Sequence, residues 1–250
     1  MALSVAASSA FGNAFAGSNP QTGDLTFGSP IFSNGSVGAT IPGNIYSSVN
    51  AGQFQGFFDP SSEGDGPGPE ADDFLRFFCI DITHLADTGG AASYTRSAGT
   101  TLSTTQLSEL TRLFDAYYPN KTTGTYYASG ADTNFGSFAN ATDSAAFQLA
   151  IWEIFFGDGT DLTKAPFIAT SAAVAEADLW LSVVDSETGT PGGWTFYTLT
   201  DNAGNGTPYQ TYLTVEYSQP LRSTPEPDLL VLFGSAALAA WFAALRRRQT

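Results

Sequence analysis

Cysteine, histidine and methionine each occur once in this chain, and charged residues make up only 13% of it. A single cysteine excludes an intramolecular disulfide framework. One cysteine and one histidine are also too few ligands for the closed sites that structural zinc prefers. The sequence therefore predicts a fold held together by an apolar core, with no metal and no other cofactor.

Basic residues are scarce as well: nine lysines and arginines stand against 24 aspartates and glutamates, for a net charge of -15. Three of the nine are Arg246, Arg247 and Arg248 at the C-terminus, and every acidic residue precedes position 229. The body is therefore strongly anionic and repels nucleic-acid phosphates and anionic lipid headgroups. Nucleic acid is accordingly excluded as a partner.

Apolar and aromatic side chains are plentiful, at 42% and 14% of 250 residues, which is enough for one domain with a substantial core. Many glycine, serine and threonine residues with few charges favour a β-rich, turn-rich fold. Short apolar or alternating runs between turn residues predict strands at 25–27, 36–41, 74–83, 194–200 and 211–217.

Helical spacing separates the early strands from the late ones. A capping box formed by Ser103 and Gln106 opens the first predicted helix, which Pro119 ends. Further helices are predicted at 144–156, which is apolar nearly all round, and at 171–184. The predicted fold class is thus mainly β, a β-sandwich or barrel, with a three-helix insertion.

The C-terminal segment has three parts in a fixed order: the triplet Pro225-Glu226-Pro227, a run of 17 uncharged residues at 229–245, and the cluster Arg246-Arg247-Arg248. The apolar run predicts a short transmembrane helix, and terminal arginines favour the cytoplasmic side. This tail resembles the PEP-CTERM sorting signal of Gram-negative bacteria. The resemblance implies passage through the inner membrane, processing by an exosortase-type protease, and delivery to the cell surface or an exopolysaccharide matrix.

The N-terminus agrees with export. Residues 1–16 are small and apolar, and Ala14-Phe15-Ala16 has the form of a signal-peptidase site. Because the usual basic segment is missing, we interpret 1–16 as a partial signal peptide whose true start lies upstream. The predicted organisation is a body at 17–220 and a sorting and membrane segment at 221–250.

Two residues of the body require an explanation. Cys79 is an odd, unpaired thiol in a chain built for export. Gln148 is an amide within an almost wholly apolar helix, and a buried amide needs a partner. Each residue could satisfy the other through a covalent bond between the cysteine sulfur and the glutamine side-chain carbonyl.

The residues around this pair carry a second resemblance. The segment Phe78-Cys79-Ile80-Asp81 and the downstream Gln148, Ala150, Ile151 and Trp152 are similar to the motifs of the thioester domains found in Gram-positive surface adhesins. Tyr118-Pro119, after the first inserted helix, matches the same family. The resemblance spans residues 74 to 156.

The resemblance implies an internal thioester between Cys79 and Gln148, opened once by an amine of a surface or matrix partner. Such a domain is a single-use attachment device rather than an enzyme that turns over. Asp81 is predicted on the Cys79 face of the strand, where it assists proton transfer. Aromatic neighbours shield the bond from water: Phe77, Phe78, Phe147 and Trp152.

Other interpretations of the sequence stay open. A non-covalent structural or carbohydrate-binding matrix protein would carry the same tail, with Cys79 and Gln148 merely packed together. A hydrolase would pair Cys79 with His84 as its base, but residues five apart on an extended strand point to opposite faces. The acidic loop at 59–73 permits either a calcium site or a solvated turn.

Overall fold

A computed structural model describes residues 20–28, 36–60, 74–86, 90–99, 101–119, 137–157, 161–186, 193–202 and 208–217. The chain divides into two units, Met1–Ser218 and Gln219–Thr250, and every described residue belongs to the first. The predicted signal peptide, most of the acidic loop and the whole sorting segment, including 225–227 and 246–248, lie outside the described residues.

Within the described ranges the first unit contains nine strands and three helices. In chain order they are β1 Gln21–Phe27, β2 Ser36–Ile41, β3 Asn44–Asn50, β4 Phe54–Pro60, β5 Phe74–Cys79, β6 Ala91–Ala98, α1 Thr104–Tyr117, α2 Ala141–Phe156, β7 Ile168–Thr170, α3 Val174–Ser186, β8 Trp194–Asp201 and β9 Tyr212–Tyr217.

Six strands form a closed antiparallel barrel in the order β1-β4-β5-β9-β8-β6, and the other three form a small sheet in the order β3-β2-β7. The predicted mainly β fold with three helices is confirmed, and a barrel is the form it takes. The helices and β7 lie in the chain between β6 and β8, which are neighbours in the barrel. They are thus an insertion between two paired strands.

The barrel closes tightly between β1 and β4 because glycines face the partner main chain at two points. A Cβ at Gly23 would lie 2.3 Å from the carbonyl oxygen of Asp59, and a Cβ at Gly56 would lie 2.3 Å from that of Thr26. No larger residue fits at either position without separating the strands.

Aromatic rings fill the barrel interior at the end of β5. Four rings from four strands contact one another with centroid separations of 5.0–5.8 Å, and they contribute a dense apolar core there. They are Phe27, Phe54, Phe77 and Tyr212.

The helices begin and end largely where their patterns indicate. The capping box at Ser103 is present, with hydrogen bonds in both directions to Gln106. The second helix begins earlier than predicted, because the Asn140 side chain caps it by accepting from the Asp143 N–H at 2.9 Å. Within the described ranges, every helix is too short or too polar to span a bilayer.

One strand is shorter than predicted. The sequence favours an extended run over 74–83, but β5 ends at Cys79 and the chain turns from Ile82 onward. The prediction was wrong beyond Cys79, because Asp81 accepts hydrogen bonds from the main chain and hydroxyl of Thr83 and so stabilises a turn. The strands β3, β4, β6 and β7 were not predicted.

Candidate functional site

The candidate site begins where β4 separates from β5. The last residue pair between β4 and β5 is Phe54 opposite Phe77, two residues before β5 ends at Cys79. On its other side β5 stays paired with β9, since the Ile80 N–H donates to the Thr211 carbonyl at 3.0 Å. Hydrogen-bonding directions alternate along an antiparallel strand, so the main-chain groups of Cys79 point into the gap that β4 leaves.

Gln148 fills this gap with its side-chain amide. The Cys79 N–H donates to Gln148 Oε1 at 3.0 Å, and Gln148 Nε2 donates to the Cys79 carbonyl at 2.8 Å. Both residues are buried. The amide therefore takes the place of a neighbouring strand, and its carbon lies beside the cysteine main chain.

Ser144, one helical turn before Gln148, binds the other side of the gap. Its hydroxyl accepts from the N–H of Gln53, the residue just before β4, at 2.8 Å. The Gln53 side chain in turn accepts from Arg76 at 3.2 Å and donates to the Tyr118 hydroxyl at 3.5 Å. The two strands that part at this point are thus both held by polar groups of α2.

The Cys79 sulfur lies in a dry environment. Burial is the main reason that its pKa rises to about 12, while the hydrogen bond to the Asp81 main chain and the nearby Trp152 side chain act in the opposite direction. The thiol donates to the Asp81 carbonyl at 3.2 Å. An unmodified Cys79 is therefore a protonated thiol at neutral pH.

Trp152, one turn after Gln148 on α2, is an aromatic residue whose side chain interacts with the Cys79 thiol. Its side chain is buried and lowers the pKa of the Cys79 thiol. Among the described residues no acceptor forms a regular hydrogen bond with the indole Nε1. A buried donor beside the sulfur is thus available to a negative charge that develops there.

The predicted shielding residues lie on two sides of the site. Phe78 and Phe147 are in contact, with ring centroids 5.1 Å apart, on the barrel surface that the helices cover. Phe77 is on the interior face with Tyr212, 5.0 Å away. Water is therefore kept from both faces of β5 at Cys79. On the surface that the helices cover, Phe78 also contacts the rings of Phe114, Tyr118 and Phe138.

Asp81 has a different position from the one its spacing suggests. The chain bends after Ile80, so the Asp81 carboxylate turns to Thr83 and His84 while its main-chain carbonyl receives the Cys79 thiol. The carboxylate is 2.5 Å from His84 Nδ1. The expectation of an extended strand through Asp81 is corrected, because β5 ends at Cys79. The role of Asp81 in proton transfer stays a prediction.

A cavity of about 510 Å³ lies next to the site. Trp152 and His84 both line it, and part of its wall comes from β3 of the small sheet. Since the Trp152 side chain also interacts with the Cys79 thiol, the cavity is a space from which a small molecule could approach the Cys79 region. Its walls include Tyr46, Val49, Phe54, Ile82 and Leu85.

The structure also describes the surroundings of the alternative Cys79–His84 pair. No hydrogen bond joins Cys79 to His84 in the described part of the chain, and the two are linked only through Asp81. The same part contains no group of three or more histidine, cysteine or acidic side chains placed to hold a metal ion. Sequence reasoning missed Gln53 and the pairing of Ser144, although a serine and a glutamine four apart on an apolar helix are a usable signal.

Comparison with known proteins finds no family model, no curated protein and no solved structure that matches this chain. The fold and the chemistry of the site are therefore the basis for assigning a function. The site holds a buried thiol, a carboxamide fixed against the main chain of the same cysteine, a buried indole donor near the thiol and a cavity at its edge. This set of groups suits acyl transfer between the amide carbon and the sulfur.

Proposed function

We propose that this chain is an exported surface or matrix protein whose body forms an internal thioester between Cys79 and Gln148. An amine-bearing partner opens the bond and becomes covalently attached, once per molecule. The observation that supports this most is the Gln148 amide, held by two hydrogen bonds against Cys79 in a buried site. Holding the amide beside the main chain of the residue that bears the sulfur raises the effective concentration of the two groups.

Formation of the bond needs no added reagent. The Cys79 sulfur attacks the Gln148 amide carbon, the carbon–sulfur bond forms, and the carbon–nitrogen bond breaks. The thiol proton leaves with the nitrogen as ammonia. Because the thiol is protonated at neutral pH, its proton is available for the leaving nitrogen.

Two donors stand where charge would develop during this step. The Cys79 N–H, 3.0 Å from Gln148 Oε1, would stabilise the oxyanion of the tetrahedral intermediate. The indole of Trp152 would stabilise negative charge on sulfur, consistent with its lowering of the thiol pKa. The arrangement thus favours both formation of the thioester and its later opening.

Capture follows the same path in reverse with a new nucleophile. A neutral amine attacks the thioester carbon, a carbon–nitrogen bond forms, the carbon–sulfur bond breaks, and one proton passes from nitrogen to sulfur. The product is an amide link to Gln148 and a free Cys79 thiol. The net charge of -15 would attract cationic, lysine-bearing partners.

Export and sorting belong to the same proposal. Residues 1–16 would be part of a signal peptide, and 229–245 would hold the chain in the inner membrane. An exosortase-type protease would then process the segment marked by Pro225-Glu226-Pro227 and release the body to the cell surface or matrix.

A biotin-labelled primary amine tests the function. The native full chain should incorporate one label at Gln148, located by peptide mass spectrometry, and expose one thiol. Cys79→Ala is a matched control, because both hydrogen bonds to Gln148 use the cysteine main chain and survive the substitution. This variant should stay folded and take up no label.

A second function explains the same hydrogen bonds without a covalent reaction. The amide is satisfied in place, so Gln148 could simply tie α2 to β5 in a non-covalent structural or carbohydrate-binding matrix protein. In that case neither the native chain nor Cys79→Ala would take up the label.

A further inference from the structure

Two turns of the chain share one four-residue pattern, Asp-x-Thr followed by a basic residue. In the first, Asp81 Oδ1 accepts from the Thr83 N–H at 3.0 Å and from the Thr83 hydroxyl at 2.5 Å. Asp81 Oδ2 is 2.5 Å from His84 Nδ1. The carboxylate thus holds both the turn and the imidazole.

The second turn has the same bonds but a different base. Asp161 Oδ1 accepts from the Thr163 N–H at 3.0 Å and from the Thr163 hydroxyl at 2.5 Å, and Asp161 Oδ2 is 2.5 Å from Lys164 Nζ. A lysine therefore serves this turn as well as a histidine. The turn itself does not require an imidazole at position 84.

The surroundings of the two basic residues differ. The Lys164 side chain is 76% exposed, whereas that of His84 is 38% exposed. His84 lines the 510 Å³ cavity together with Trp152, whose side chain acts on the Cys79 thiol. An imidazole at position 84 is thus placed beside the candidate site rather than in open solvent.

The hydrogen bond to Asp81 determines which nitrogen of His84 can act. A carboxylate only accepts hydrogen bonds, so Nδ1 carries a proton toward Asp81 Oδ2 and the lone pair remains on Nε2. A histidine oriented by a carboxylate is a common general base.

We propose that His84, oriented by Asp81, is the general base of the capture step, and that the nucleophile enters through the cavity that His84 and Trp152 line. The inference rests on the proposed thioester. His84 Nε2 takes one proton from the attacking nitrogen and then gives it to the departing Cys79 sulfur. Proton delivery matters here because burial raises the pKa of the thiol and makes a bare thiolate unfavourable.

Several polar or titratable side chains lie near His84. Asp81 lies on the same turn as His84, and Tyr46 of β3 lines the same cavity. Trp152, which also lines the cavity, interacts with the Cys79 thiol of β5. Gln210 also lines this cavity, and its side chain is polar but uncharged. Among the described residues of this turn and of the cavity wall, the Asp81 carboxylate is the charged neighbour of His84.

The experiment measures capture of O-methylhydroxylamine by the full chain, followed by intact-protein mass. This nucleophile is uncharged throughout the neutral range, so the pH dependence reports the protein. In the native chain the rate should depend on pH, because a general base acts only while its nitrogen lone pair is free. His84→Lys, which can form the kind of ion pair that Lys164 forms in the second turn, should slow capture at neutral pH by about 100-fold or more and abolish that dependence.

Each outcome has a separate meaning. Loss of one ammonia before capture should persist in His84→Lys and in His84→Gln, while Lys164→His should react like the native chain. Equal rates and pH profiles in the native chain and both His84 variants overturn this inference alone. Folded His84 variants that keep a full, unmodified mass also contradict it, because His84 would then act in bond formation. A native chain that never loses ammonia overturns the proposed function and this inference together.

Discussion

Ser144 and Gln148 lie one turn apart on α2, and each binds the main chain of a different barrel strand at the point where those strands part. Ser144 accepts from Gln53 before β4, and Gln148 bonds both main-chain groups of Cys79 at the end of β5. Two fixed polar contacts in an apolar interface determine the register of the helix on the barrel. The position of the Gln148 carboxamide is therefore set by the fold.

Ser144→Ala should destabilise the protein. It leaves the buried N–H of Gln53 without its acceptor, which costs on the order of 1–3 kcal/mol in the free energy of unfolding. Ser108→Ala, on the exposed face of α1, is the control and should change stability by less than about 0.5 kcal/mol. Urea denaturation measures both, and equal stabilities would show that Ser144 does not hold β4.

Gln148→Leu should cost more, because two buried main-chain groups of Cys79 lose their partner. The substitution belongs in a Cys79→Ala background, where no covalent bond can contribute. We expect a further loss on the order of 2–5 kcal/mol relative to Cys79→Ala alone. A double variant as stable as the single one would mean that the hydrogen-bonded amide contributes nothing to the fold.

Gly56→Ala should weaken barrel closure. The new Cβ would meet the Thr26 carbonyl oxygen at 2.3 Å, so β1 and β4 must move apart at a cost of about 1–3 kcal/mol. Gly90→Ala is the control, since no atom lies within 4 Å of a Cβ there. Thermal unfolding compares the two, and a tolerated Gly56→Ala would contradict the tight β1–β4 contact.

The chain opened by methylamine should lose stability in alkali. Its free Cys79 thiol has a pKa raised by burial to about 12, against 9.0 for an unperturbed thiol. The unfolded state therefore loses the proton first, so this contribution is complete below pH 9 and declines as pH rises toward 12. Cys79→Ala lacks this decline but keeps any effect of Tyr197, whose pKa is also raised to about 12. Parallel stability curves for the two proteins between pH 8 and 11 would refute the burial of the thiol.

Strong local signals made part of the fold predictable. The capping box at Ser103 and the alternation near Leu213 and Val215 each indicate one structure, and both elements are present. The strand β6 was missed because Ala91–Ala98 is mostly small and polar, and its pairing with β1 and β8 supplies what its own propensity lacks. Tertiary pairing of this kind leaves little trace in the local pattern.

The candidate site was predictable in its residues but not in its geometry. An unpaired cysteine and a glutamine in an apolar helix could be identified from the sequence and from the family resemblance. The bend after Ile80, which turns the Asp81 side chain toward His84, depends on a hydrogen-bonded turn that strand parity does not represent. The gap left by β4, which Gln148 fills, arises only when the barrel is assembled.

The central proposal is a covalent bond between Cys79 and Gln148, and the intact mass of the purified, denatured chain tests it most directly. The native chain should be lighter by one ammonia than its sequence requires, and Cys79→Ala should have the full mass that its own sequence predicts. A native chain with its complete, unmodified mass and a titratable thiol would contradict the proposal.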